Sequence, residues 1–144
     1  MLSAGDAVRN LLGRYCDLMD AGDWPAVGQL FADGRLTAGG AVLASGPEEV
    51  EAFFRRGTRL HDGSPRTKHL VLNTQLVIDG DVLVARSSYL VLQAVEGGGL
   101  TPIITGRYVD TFGLGAADPV WRERAFAVDL AGDLSAHLAW DPQT

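Results

Sequence analysis

The chain has one cysteine and one lysine among its 144 residues. Cys16 alone cannot form an internal disulfide and lacks the nearby ligands of a zinc site. A reducing compartment is therefore expected, with Cys16 as a small core residue. Phosphate binding needs clustered Lys and Arg. A formal net charge of -6 with Lys68 as the sole lysine therefore excludes nucleic acid as an expected partner.

Long apolar runs and a secretory leader are also missing from the sequence. No apolar segment approaches the roughly 18 residues that a membrane helix needs, and no basic stretch leads into an apolar N-terminal segment. We therefore expect a cytoplasmic protein without a membrane partner. With 47% hydrophobic residues, the chain is expected to form one domain over residues 1–144. Within it, residues 133–144 form either a docked or a flexible tail.

Three amphipathic helices are predicted in the first half of the chain. Apolar residues recur at helical spacing over residues 3–20, and a second helix follows over residues 23–31 with Asp23 as its N-cap. A third helix is predicted over residues 47–57, where an acidic first turn complements the helix dipole. Paired glycines between Thr/Val/Leu-bearing segments predict a small hairpin over residues 35–45.

The second half of the chain is strand-like throughout. Alternating apolar segments separated by tight turns predict strands over residues 69–79, 82–95, 101–112 and 121–130, which together form an antiparallel meander. Three helices before one meander indicate an α+β fold with the helices on one face of the sheet. Both faces of these strands carry apolar residues, so we predict that a second copy covers the other face, in a homo-oligomer that is a dimer or a trimer.

His69 is one of three histidines and opens the longest alternating apolar segment, and Asp20 ends the first helix. A neutral imidazole held by a carboxylate beside an apolar cavity is a general base usable near neutral pH. Two plainer interpretations stay open. His69 is a polar strand-start residue, or Asp20 bonds the backbone N–H of Gly22 or Asp23. The histidine spacing predicts no metal site.

A family resemblance appears in three segments. Residues 15–24, residues 66–69, and residues 106–112 before Trp121 resemble the SnoaL-like branch of the nuclear transport factor 2-like superfamily, and the similarity spans roughly residues 7–133. The resemblance implies a curved sheet wrapped around a long helix into a cone with an interior pocket. This one fold hosts enzymes, ligand binders and non-catalytic subunits.

Within that superfamily, the chain looks most like the cofactor-free lyases: scytalone dehydratase, bile-acid 7α-dehydratase and hexachlorocyclohexane dehydrochlorinase. Asp20 and His69 match the positions of their Asp-His pair, and Tyr15 precedes Asp20 by five residues, as a tyrosine does in the bile-acid enzyme. The chain also departs from the pattern. Met19 stands where scytalone dehydratase has a tyrosine, and the second histidine of that enzyme has no counterpart near residues 91–93.

The resemblance implies a cofactor-independent lyase of the dehydratase type, or an isomerase, that acts on a small apolar carbonyl compound. His69 would be the base, Asp20 would orient it and Tyr15 would assist. A non-catalytic ligand-binding or subunit role and a polyketide cyclase remain alternatives. The expected cavity measures about 300–1,000 Å³. Further substrate-contacting candidates are Tyr108, Asp110, Asn73, Met19, Trp24 and Phe54. His61 and His137 lie in loop-like surroundings and are expected to be exposed.

Overall fold

The computed structural model describes residues 1–115 and 117–139. The elements are α1 (Ala4–Ala21), α2 (Trp24–Leu30), β1 (Arg35–Ala38), β2 (Ala41–Ser45), α3 (Gly46–Gly57), β3 (Thr67–Asp79), β4 (Val82–Gln93), β5 (Thr101–Gly113) and β6 (Val120–Ala131). All three predicted helices, the hairpin and the four long strands are present, with ends shifted by one or two residues. No helix in the described part of the chain is both long and apolar enough to cross a membrane.

The ends of the first two helices follow from local hydrogen bonds. The side chain of Ser3 accepts from the backbone N–H of Asp6 at 3.1 Å and begins α1. Gly22, at a φ of 68° that suits glycine, ends it. Asp23 then caps α2, as predicted, by accepting from the N–H of Ala26 at 3.2 Å. The short turn between the two helices therefore fixes the end of α1, and with it the position of Asp20 in the last turn of that helix.

The strands form one open six-stranded sheet in the order β2-β1-β6-β5-β4-β3. The predicted meander of β3 to β6 is confirmed, since each consecutive pair is antiparallel. The pairing of β1 with β6 is parallel and was not predicted. Irregularities in register interrupt all three antiparallel pairings of the meander. Such bulges bend and twist strands, and the concave face of the sheet packs on the helices.

The core lies between α1 and this concave face. The buried side of α1 carries Val8, Leu12, Tyr15, Cys16 and Met19. The interpretation of Cys16 as a core residue is confirmed, because its side chain is buried and forms no disulfide.

The predicted alternation of β3 is wrong beyond Leu72. A register shift occurs between Leu72 and Gln75, and Asn73 adopts a φ of 57° within it. Strict alternation would put Asn73, a candidate substrate contact, on the face of His69, but the bulge turns it outward and it is exposed. Thr74 instead contacts Ser87 of β4 at 3.0 Å.

The segment of residues 133–139 is docked rather than frayed, and the rest of the predicted tail lies outside the described residues. Its backbone exchanges hydrogen bonds with Gly57 and Arg59 at the end of α3, at 2.9 and 2.8 Å. The side chains of His61 and Gln93 bind one carbonyl oxygen of the segment at 2.7 and 3.0 Å. These contacts hold the segment against the end of α3, the loop that follows it and the end of β4.

Candidate active site

Asp20 and His69 meet where the end of α1 packs against the start of β3. Nδ1 of His69 lies 2.6 Å from Oδ1 of Asp20. The same carboxylate accepts the backbone N–H of His69 at 3.0 Å and the hydroxyl of Thr67 at 3.0 Å. A carboxylate on Nδ1 favours the tautomer with the proton there, which leaves the Nε2 lone pair available. The pair is shielded, since His69 is 8% exposed.

The plainer interpretation of Asp20 is wrong, because its carboxylate turns toward β3 and not toward the following turn. The backbone N–H of Gly22 binds the carbonyl of Met19 at 3.1 Å, and that of Asp23 binds the carbonyl of Leu18 at 3.0 Å. The turn is therefore closed by backbone groups, and Asp20 is left to hold His69.

A cavity of about 130 Å³ opens beside His69. It is smaller than the expected range of about 300–1,000 Å³, and residues of the docked segment form part of its wall. Its lining is mostly apolar and aromatic, with two imidazoles and three phenols: Tyr15, Met19, Phe53, Phe54, Gly57, Thr58, His69, Tyr89, Val91, Ile104, Tyr108, Phe126, Leu134, His137 and Leu138.

Four of the residues that the sequence nominated beside the dyad line this cavity: Tyr15, Met19, Phe54 and Tyr108. Burial raises the pKa of the Tyr15 and Tyr108 phenols well above the ordinary value of a tyrosine, and the nearby Arg124 guanidinium opposes the shift. Both hydroxyls are therefore protonated at neutral pH and can donate hydrogen bonds to a ligand.

Trp24 and Asp110 were nominated as substrate contacts and lie outside the lining. Trp24 stands behind Phe54, with ring centroids 6.3 Å apart and nearly parallel planes, so it supports the wall. Asp110 lies on the same inward face of β5 as Tyr108, but its side chain is fully buried and is not part of the cavity lining. Because other protein groups occupy its oxygens, it offers nothing to a ligand.

The partner of Asp110 is Arg124 on β6, which sequence reasoning missed. Nε and Nη2 of Arg124 donate to the two carboxylate oxygens at 2.8 and 2.9 Å, and Trp121 Nε1 donates at 3.2 Å. The guanidinium carbon lies 3.5 Å from the ring centroid of Tyr108 and 4.3 Å from that of Tyr15. The two opposite charges of Asp110 and Arg124 compensate each other, and the pair packs against the rings of Tyr15 and Tyr108.

His137 is a second residue whose surroundings were not predicted from the sequence. It was expected to be exposed, but it is 7% exposed and lines the cavity, with its ring centroid 6.2 Å from that of His69. Burial, reinforced by the neighbouring His69 and partly opposed by Asp20, lowers the pKa of His137 to about 4. The only sequence signal was the apolar pair Leu134 and Leu138, spaced four residues apart around it.

The sequence family that matches the chain agrees with this architecture. The SnoaL-like domain family matches residues 1–126. The chain belongs to this family. No functionally curated protein matches it.

Solved structures show that proteins of different descriptions share the fold of this SnoaL-like chain. Three proteins from Novosphingobium aromaticivorans illustrate the range. A nuclear transport factor 2-like protein with a cystatin-like fold gives a TM-score of 0.71 at 24% identity, covering 91% of this chain and 84% of that chain. The β subunit assigned to an aromatic-ring-hydroxylating dioxygenase gives 0.68 at 20% identity, covering 92% and 94%. A protein provisionally assigned as a scytalone dehydratase gives 0.67 at 16% identity, covering 89% and 85%. Identities this low show a common fold.

The described part of this SnoaL-like chain contains no group of three or more His, Cys, Asp or Glu side chains that could hold a metal ion. The polar groups that face the cavity are imidazoles and hydroxyls, whose chemistry is proton transfer and hydrogen bonding. The arrangement suits acid-base chemistry on a small ligand.

The cavity wall of this SnoaL-like domain depends on a glycine. Tyr89 lines the cavity, and burial raises the pKa of its phenol to about 12. Its ring packs on Gly106, where an added Cβ would overlap both the Tyr89 hydroxyl and the carbonyl oxygen of Ala127. We expect Gly106→Ala to lower the free energy of unfolding by about 1–3 kcal/mol, the usual cost of overpacking. Urea unfolding measures the change. Gly99→Ala is the control, because its Cβ would meet nothing within 4 Å. Equal stability of Gly106→Ala and wild type would contradict the packing.

Proposed function

We propose that the protein is a cofactor-independent enzyme that removes a proton from a carbon next to a carbonyl group and completes either a β-elimination or an isomerisation. The observation that carries the proposal is the 2.6 Å contact between His69 Nδ1 and Asp20 in the wall of a mostly apolar cavity. A base oriented by a carboxylate in a shielded site needs no metal or cofactor to act on an activated C–H bond.

The elimination balances with His69 alone as the proton carrier. Nε2 takes the proton from the α-carbon, the C–H electron pair forms the C=C bond, and the bond from the β-carbon to oxygen breaks. The imidazolium, stabilised by the carboxylate of Asp20, then protonates the leaving hydroxide, so that water departs and His69 is neutral again. In an isomerisation, the same proton returns to a different carbon. The hydroxyl of Tyr15 supports either course by donating to the carbonyl oxygen.

Proton abstraction is testable before a substrate is known. We expect the wild-type protein to exchange the α-protons of cyclic ketones for deuterium in D₂O and to dehydrate some β-hydroxy ketones of similar size. Proton NMR follows the loss of the α-proton signal, and absorbance of the new enone follows elimination. A panel on which the folded protein gives no rate above that of buffer would count against the enzyme.

A subunit role is the rival function, and the similarity to a dioxygenase β subunit is the observation that favours it. The rival predicts co-purification with a larger partner and no exchange activity in isolation. The lyase or isomerase proposal is supported by the carboxylate on His69, because a subunit without chemistry needs no oriented base beside a cavity.

Assembly into a homo-oligomer is part of the proposal. The outer face of the sheet carries exposed apolar side chains, including Leu72 at 41% and Val109 at 38% exposure. Val109 lies near the middle of that face, on β5, between the inward-facing Tyr108 and Asp110. We expect wild type to sediment as a dimer or trimer and Val109→Glu to sediment as a monomer, because the buried charge would cost too much. Leu60→Glu, at a loop residue that is 48% exposed, is the control. A wild-type monomer would refute this assembly.

A further inference from the structure

The imidazole of His137 lies in the cavity wall and belongs to the docked segment of residues 133–139. Hydrogen bonds with the backbone of Gly57 and Arg59 and with two side chains fix the backbone that carries the ring of His137. Yet Nδ1 of His137 is buried and has no hydrogen-bond partner among the described residues. Buried polar atoms are nearly always paired. The imidazole of His137, which lines the cavity, therefore has hydrogen-bonding capacity that no described protein group uses.

We propose that His137 is a second substrate-contacting residue, whose neutral imidazole donates a hydrogen bond to the oxygen of an uncharged, single-ring ketone held beside His69. This rests on the proposed function, because the ketone must present its α-carbon to Nε2 of His69. The ring centroids of the two histidines are 6.2 Å apart. The two imidazoles can therefore contact different atoms of one small molecule.

The size of the cavity favours a single ring. Its volume is about 130 Å³, and an apolar cavity of about 150 Å³ is known to hold benzene. A fused polycyclic ligand would need the segment of residues 133–139 to move away. A single ring is therefore the largest ligand that the volume supports.

The charges around the cavity favour an uncharged ligand. Asp20 lies directly behind His69, whereas Asp110 and Arg124 neutralise each other beneath the phenols. A carboxylate or phosphate in the cavity would face the field of Asp20 with no free cation among the lining residues. An uncharged carbonyl compound avoids this repulsion and still offers an acceptor to an N–H group.

His137 is a donor in its neutral form. The charged or titratable groups that act on its pKa are His69 from β3 and Asp20 from α1, and the phenols of Tyr15, Tyr89 and Tyr108 line the same cavity. Its pKa of about 4 keeps it uncharged at neutral pH, so it does not compete with His69 for the carboxylate. A neutral imidazole can polarise a carbonyl group, and the enolate oxygen that forms as His69 removes the proton would strengthen this hydrogen bond.

NMR of ¹⁵N-histidine-labelled protein tests contact with the ligand. The ring signals of His137 are assigned by their loss in His137→Gln. We expect cyclohexanone to shift the ring signals of both His69 and His137 at neutral pH, and cyclohexanecarboxylate to shift neither. A shift confined to His69 would overturn the role of His137 and leave the proposed function intact. No shift at His69 would count against the proposed function itself. Equal shifts with the carboxylate would overturn the assignment to uncharged ligands.

Rates separate contact from support of the fold. We expect His137→Leu to slow α-proton exchange of cyclohexanone by about tenfold, the value of one hydrogen bond, and His137→Gln to restore part of the rate through its amide N–H. The control is His61→Leu, which removes a side chain that anchors the same segment at 2.7 Å but is not itself part of the cavity lining. Equal losses in His61→Leu and His137→Leu, with no recovery in His137→Gln, would show that His137 only docks the segment.

Discussion

Replacement of His69 by glutamine is expected to slow α-proton exchange and elimination by about 10²–10⁴-fold, the usual contribution of a general base. Glutamine keeps a polar side chain of similar reach toward Asp20 but cannot accept a proton near neutral pH. The measurement is the initial exchange rate in D₂O on the most reactive ketone of the panel. Circular dichroism and sedimentation should match those of wild type, because His69 lines the cavity and is not part of the apolar core.

The variant Asp20→Asn keeps the base His69 but removes the negative charge beside its Nδ1. The amide oxygen can still accept from Nδ1, but the negative charge that stabilises the imidazolium is gone. We expect a slower rate than wild type and a faster rate than His69→Gln. Asp17→Asn is the matched control, since Asp17 is an exposed carboxylate one turn earlier on α1. Wild-type rates in both His69→Gln and Asp20→Asn would remove the dyad from the mechanism.

Much of the fold could be predicted because its signals are local. Helical spacing in residues 3–20, the cap at Asp23 and the paired glycines of the hairpin each act within a few residues. The meander follows because consecutive strands joined by short turns pair with each other. The parallel contact between β1 and β6 joins residues far apart in sequence, and no local pattern indicates it.

The contact between Asp20 and His69 was predicted from family positions, and its geometry shows what the sequence could not. The hydroxyl of Thr67 and the backbone N–H of His69 also donate hydrogen bonds to the Asp20 carboxylate. These hydrogen bonds depend on how the end of α1 packs against β3. Asn73 was misplaced because strict alternation fails at a bulge.

Two of the buried polar residues were missed for a different reason. Arg124 follows Arg122 and Glu123 in a run that is typical of an exposed strand, and only the inward direction of β6 reveals its contact with Asp110. His137 lies in a segment too short and irregular for any periodicity. In both cases the burial comes from tertiary packing, which a single sequence does not encode in a readable local pattern.

Replacement of Asp110 by asparagine is expected to lower the free energy of unfolding by about 3–5 kcal/mol, the cost of leaving one buried charge without its partner. Both side chains of the pair are fully buried. Because arginine cannot lose its proton, the guanidinium of Arg124 would remain charged and buried beside an uncharged amide, without its counter-charge. Urea unfolding measures the loss, and Asp129→Asn, which breaks an exposed pair with Arg107, should change stability by less than about 1 kcal/mol.

The double variant Asp110→Leu/Arg124→Met distinguishes a costly orphan charge from a favourable ion pair. Apolar replacement of both partners often restores stability, so the double variant should be more stable than Asp110→Asn. The guanidinium also stacks on the ring of Tyr108 at 3.5 Å, so the double variant should recover stability but loosen the phenol that faces the ligand. Exchange activity should then fall even though the fold survives. A double variant no more stable than Asp110→Asn would show that the ion pair contributes net stability of its own.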